Sequence, residues 1–152
     1  MFDLVFQNST KNKKYNSKFF EKILNAGIEE LKLDQKKVGI SINLVGEGKI
    51  KELNKKYRHK NKVTDVLSFP MDDKYTIHNT QYTIHDLGDI FICLSFAKKE
   101  AKSENVSIER KLAHLTVHGF LHLLGYDHEK STSEAKIMFN LENQILNKVG
   151  DL

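Results

Sequence analysis

His118, His122 and His128 are the residues of this chain whose types and spacing can do chemistry. They occupy the first, fifth and eleventh positions of HGFLHLLGYDH, with a glycine at the eighth and aliphatic residues between. Histidines four apart on a helix share one face about a turn from each other, so both imidazoles can reach a single ion. Gly125 predicts a left-handed C-cap that ends the helix and reverses the chain, bringing His128 back from a loop as a third ligand. Three neutral nitrogens leave a fourth position for water, the arrangement of a catalytic rather than a structural zinc site. Three imidazoles suit zinc, although nickel, copper and iron stay chemically open.

Zinc metalloproteases share this spacing but keep a general-base glutamate directly after the first histidine. Here that position is Gly119. A glycine inside a helix costs roughly 1 kcal/mol relative to alanine, so some gain should offset it. Close packing of the helix against another element is one explanation; cleared space beside a metal for a bulky substrate is the other. Under both, the peptidase mechanism loses its proton acceptor. Metal-acidified water, with a pKa of about 7, suits phosphodiester hydrolysis, where stabilising charge on phosphate oxygens matters as much as a dedicated base. A metallopeptidase-like hydrolase and a non-catalytic zinc-containing protein are the alternatives.

The helix that must carry these ligands runs from about Ser107 to Leu124, with Ile108, Leu112, Leu115, Leu121 and Leu124 as an apolar stripe widened by Ala113 and Val117. Upstream, FDLVFQN reads as a first strand, and Asn16 or Ser17 caps a helix through FFEKILNAGIEELKL. KVGISINLV is a second strand, GEGKIKELNKKYR a short basic helix, and TDVLSFP a strand that Pro70 confines to a sheet edge. The stretch from Asp72 to Asp86 holds YTIH twice and reads as a hairpin or flap, with His78 and His85 as surface residues. LGDIFICLS is the fourth strand; SFAKKEAKSE and STSEAKIMFNLENQILNKV are further helices. The expectation is an α+β fold: a single domain over residues 1–152, with a small four-stranded mixed sheet and about five helices.

Composition bounds the partners. At 152 residues, 39% hydrophobic and 29% charged, this is an ordinary globular chain, neither disordered nor membranous. The start, MFDLVFQNSTKNKK, reads as no signal peptide. A lone cysteine, Cys93, cannot form an intramolecular disulfide, which points to a reducing cytoplasm. The net charge of +4 is modest. Its distribution says more: Lys49, Lys51, Lys55, Lys56, Arg58, Lys60 and Lys62 are opposed in their stretch only by Glu52. Such a cluster is either a solvated helix face or a phosphate-tracking stripe.

HGFLHLLGYDH, taken with LNKKYR, TDVLSFP, LGDIFIC and MFNLENQIL in that order, closely resembles the bacterial YbeY family over about residues 50–146. That resemblance implies a zinc-dependent, single-strand-specific endoribonuclease of rRNA maturation (the 16S rRNA 3′ end) and ribosome quality control. It implies one Zn²⁺ on His118, His122 and His128, with Arg58 contacting RNA phosphate. Ribosomal RNA and the ribosome or its proteins are the implied partners, with no membrane and no DNA. A planar, permanently charged guanidinium suits the phosphate role.

Several neighbours carry smaller expectations. Asp65 fixes a turn, with cleft lining by Asp65 and Ser68 as the alternative. Asp127 orients a histidine ring or simply shapes the loop. His114 neighbours the site rather than closing its open position. Cys93 reads as a small buried hydrophobe, and Met138 as ordinary helical core.

Overall fold

The computed structural model describes residues 2–71 and 85–152, so the hairpin or flap expected from Asp72 to Asp86, and His78 with it, falls almost wholly outside the described residues. Ten elements follow in the order β1 (Asp3–Asn8), α1 (Ser17–Glu30), a short 3₁₀ turn (Gln35–Lys37), β2 (Val38–Val45), α2 (Glu47–Arg58), β3 (Val66–Pro70), β4 (His85–Cys93), α3 (Leu94–Glu104), α4 (Ile108–Leu123) and α5 (Thr132–Val149). The strands form one sheet in the order β1-β2-β4-β3. β1 and β4 run parallel to β2, and β3 is antiparallel to β4. Among the described residues, the expected α+β domain with four strands and five helices is the fold observed.

Several element bounds differ from expectation. α1 stops at Glu30 instead of running through Leu33, because Lys32 turns left-handed (φ 54°) and the Leu33 amide bonds back to the Ile28 carbonyl. Of the two candidate caps Asn16 serves, its Oδ1 accepting from the Phe19 amide at 3.2 Å. β4 begins at His85, so that residue opens a strand, and it ends at Cys93, with Leu94 already in α3.

The two faces of the sheet differ, and the difference places the site. Ile42, Leu44, Ile90 and Ile92 point to one face and join Phe20, Leu24, Leu112 and Phe120 in the main core. α5 closes a second cluster outside this layer, packing Met138, Ile145 and Val149 against Ile23, Val117 and Leu121. Each fully buried Leu, Ile or Phe is worth roughly 1.5–3 kcal/mol, so α4 is held firmly from several sides. Its half-exposed residues between Leu112 and Leu123 are His114, His118 and His122. On the opposite face, α2 covers only one end, where Ile50 and Leu53 meet Val45, Leu67 and Cys93. Cys93 is thus the buried hydrophobe expected, and Met138 is core. β3 lies at the sheet edge, where Pro70 is tolerated.

Candidate metal centre and its cleft

α4 starts with Ser107, whose Oγ accepts from the Arg110 amide at 3.0 Å. It ends in a Schellman motif: the Gly125 amide donates to the His122 carbonyl and the Tyr126 amide to the Leu121 carbonyl, both at 3.0 Å. Gly125 has a φ of +96°, which a glycine adopts without strain. The reversal predicted from sequence therefore forms, and it delivers His128 to the two helical histidines. One ligand atom from each of His118, His122 and His128 lies within 4.8 Å of the others, the one such cluster of three among the described residues.

The donor chemistry fits a cation. Glu142 Oε2, on α5, accepts from His118 Nδ1 at 3.0 Å. With Nδ1 carrying the proton, a neutral His118 turns the lone pair of its Nε2 towards His122, whose Nε2 is 3.1 Å away. Ligand nitrogens around a tetrahedral metal with bonds of 2.0–2.1 Å are separated by roughly 3.3 Å. Burial lowers the pKa of His122, and His118 and His128 lower it further, which favours the neutral form a ligand requires. These residues fit a metal ion bound by nitrogen donors.

Glu142 escaped the sequence reading. Burial opposes its charge, but hydrogen bonds from His114 and His118, and their positive potential, outweigh it and hold its pKa down to about 2. His114 Nε2 donates to the same Oε2 at 3.0 Å, so His114 neighbours the cluster through a shared carboxylate. A signal was present: Met138, Glu142, Ile145 and Val149 form the buried stripe of α5, and an acidic residue on such a stripe calls for a partner.

Gly119 finds its explanation in packing. A Cβ there would stand 3.0 Å from Ile90 Cγ2 and 3.2 Å from Cδ1. Ile90 is fully buried in a central strand, so it has little room to give. The glycine lets α4 settle onto a β4 side chain, which offsets its helix penalty.

The cluster opens into a cleft of about 430 Å³ whose lining includes Arg58, Asp65, Ser68, His118, His122 and His128. Arg58 reaches it from the last residue of α2. His59 ends that helix left-handed (φ 60°), and the buried Asn54 ties the following loop by donating to the Lys62 carbonyl at 3.0 Å. The guanidinium then crosses to the sheet edge, where Nη2 donates to the Ser68 carbonyl at 2.9 Å. Asp127 also lines the cleft, and it shapes its loop by accepting from the Glu129 amide at 2.9 Å.

Asp65 Oδ1 accepts from the Val66 amide at 2.7 Å, but turn formation is not its whole environment. It faces Glu100 of α3. Burial, and then the neighbouring Asp65 carboxylate, push the pKa of Glu100 up to about 7 from 4.5. Lys111 is the counter-charge; its Nζ lies 2.7 Å from Glu104 and 3.6 Å from Glu100 Oε1, the second too long for a hydrogen bond. A folded-state pKa above the unfolded value means the contribution is complete below pH 4.5 and is lost as pH rises through about 7. Wild type should therefore lose on the order of 1–2 kcal/mol over that window, after discounting for solvent around the pair. Glu100→Gln, whose amide can donate to Asp65 at every pH, should flatten the melting temperature between pH 5 and pH 8. An unchanged slope in that variant would assign the loss to other groups.

A family model described as Endoribonuclease YbeY matches residues 5–150. Endoribonuclease YbeY of Persephonella marina is 43% identical over 96% of this chain and 92% of its own length. The protein of the same name from Oenococcus oeni is 37% identical over 99% of this chain and 98% of its own. Among solved structures, TM1509 from Thermotoga maritima superposes with a TM-score of 0.64 at 29% identity, covering 96% of this chain and 88% of that one.

Proposed function

This chain belongs to the YbeY endoribonuclease family, and from that premise we propose that it hydrolyses phosphodiester bonds of single-stranded RNA in the cleft between α4 and β3. The substrate is ribosomal RNA during maturation, handled in the cytoplasm with the ribosome or its proteins as partners. The metal is a single zinc ion held by His118, His122 and His128. The observation that carries the reading is the Nε2 pair of His118 and His122 at 3.1 Å, in one cleft with a guanidinium.

When bound, zinc supplies Lewis acidity, making water a stronger acid and offsetting negative charge at phosphate. The chain's own residues do the rest. Glu142 holds the His118 proton on Nδ1 and so keeps Nε2 a donor of its lone pair. Arg58 has one nitrogen committed to the Ser68 carbonyl, which fixes the plane of the guanidinium while its other N–H groups stay available to phosphate. The exposed lysines of α2 and the loop after it attract the polyanion at longer range. Gly119 leaves no carboxylate at the position a peptidase needs, and Ile90 stands against any side chain there.

Zinc-loaded protein should cleave single-stranded RNA, spare duplex RNA of the same sequence, and leave peptides intact. Chelator-sensitive cleavage of peptide alone would overturn the reading. Arg58→Ala should lower RNA cleavage roughly 10²–10³-fold, as expected for losing one preorganised charge donor, with zinc content at the wild-type level. Arg58→Lys should recover only part, since a point charge cannot replace the planar fork. Undiminished turnover in Arg58→Ala would remove Arg58 from the mechanism.

A further inference from the structure

The second face of the sheet carries a feature that metal chemistry does not use. Along α2, Ile50, Leu53 and Tyr57 continue one stripe, but only the first two are covered by the sheet. Tyr57 is 53% exposed, although it is an aromatic on the packing side of its helix. Its ring lies 5.2 Å from that of Phe69 at 63°, and Phe69 lies 5.8 Å from Phe91 at 74°. Neither phenylalanine is fully covered. Three rings thus step across the open sheet face, starting at the edge strand.

Their position relative to the cleft is fixed by two covalent adjacencies. Tyr57 precedes Arg58, and Phe69 follows Ser68. Successive side chains on a strand point to opposite faces, so Ser68 lines the cleft while Phe69 faces the rings. Arg58 straddles the edge between them, bonded to the Ser68 carbonyl with its Cζ 5.9 Å from the Phe69 ring. Lys56 Nζ stands 5.2 Å from the Tyr57 ring, and Lys55 and Lys60 are exposed nearby.

We propose that Tyr57, supported by Phe69, is a base-stacking subsite for single-stranded RNA, receiving a nucleobase next to the phosphate that Arg58 holds. The inference rests on the endoribonuclease reading of the cleft and names what selects its substrate. Exposed rings beside a basic groove are how single strands are gripped without sequence preference, because every base offers a π-face. A base within a duplex has both faces stacked on its neighbours, so only an unpaired nucleotide can lie on Tyr57. The positive surroundings favour a polyanion over an apolar protein partner, and farther across the face Asp89 bonds to Ser41 and offers nothing to phosphate. The strand therefore crosses the edge of β3, its backbone at Arg58 and one base turned onto the ring.

The chain has no tryptophan, which makes the test direct. Tyr57→Trp places a single indole at the subsite, and its fluorescence should be quenched by a short oligouridylate but not by an abasic ribose-phosphate chain of equal length. Tyr57→Ala should weaken binding of single-stranded RNA about 5- to 150-fold, the range set by one base–aromatic stack, while binding of the abasic chain stays unchanged. Tyr57→Phe should bind as wild type. If Tyr57→Ala binds single-stranded RNA as tightly as a wild-type protein that itself binds and cuts it, this inference falls alone. If wild type neither binds nor cuts single-stranded RNA, the endoribonuclease reading falls and takes the subsite with it. Equal quenching by the abasic chain would also overturn the proposal.

Discussion

His118→Ala and His122→Ala should each abolish stoichiometric zinc binding and lower cleavage of single-stranded RNA at least roughly a thousandfold, since one lost charge-stabilising donor already costs ~10²–10³. The two ε nitrogens stand 3.1 Å apart, so neither imidazole has a substitute among the described residues. Both substitutions should leave the fold intact. His118 and His122 are only half-buried, and the apolar sides of α4 carry its packing. A readout independent of turnover is available. Zinc at a hundredfold excess over Kd stabilises a protein by about 2.7 kcal/mol, which raises the melting temperature of a domain this size by roughly 5–10 °C. Wild type should show that shift and both variants should lack it. Metal content equal to wild type in either variant would dismantle the site assignment.

Glu142→Ala should weaken zinc binding roughly 10–100-fold, the usual cost of deleting a carboxylate that orients a ligating histidine. The reason is geometric. Glu142 Oε2 takes hydrogen bonds from His118 Nδ1 and His114 Nε2, both at 3.0 Å, and so sets the ring orientation and tautomer of His118. Unlike the histidine variants, Glu142→Ala should regain most of its cleavage when zinc is raised to saturation, because all three ligands remain. Glu142→Gln keeps an acceptor but loses the charge, and should fall between wild type and alanine. A titration giving the same zinc affinity for Glu142→Ala and wild type would reduce Glu142 to a packing residue of α5.

The two predictions differ in how far they could be foreseen. His118 and His122 are read directly from HGFLH, because their relative placement depends only on helix geometry. His128 follows from one further local feature, the left-handed glycine at Gly125. Arg58 entered through family resemblance, since nothing within LNKKYR says that α2 will end beside the edge of β3. Glu142 lies 24 residues beyond His118, and along the chain it is only one polar position in a helical run. The same holds for Glu100, which meets Asp65 only because α3 packs beside the loop entering β3.

Gly119 makes the division sharper. Its presence in the motif and its cost to the helix were plain from the letters alone, but its justification was not, because the atoms it makes room for belong to Ile90 of β4. Periodicity, caps and turn residues are properties of neighbours along the chain, so the sequence by itself determined the helices, the edge position of β3, the return loop and the histidine cluster. The pairing of Glu142 with His118, the anchoring of Arg58 on Ser68 and the exposure of Tyr57 above Phe69 were decided by tertiary packing. Each depends on how two elements distant in sequence dock, and short-range pattern carries no information about that.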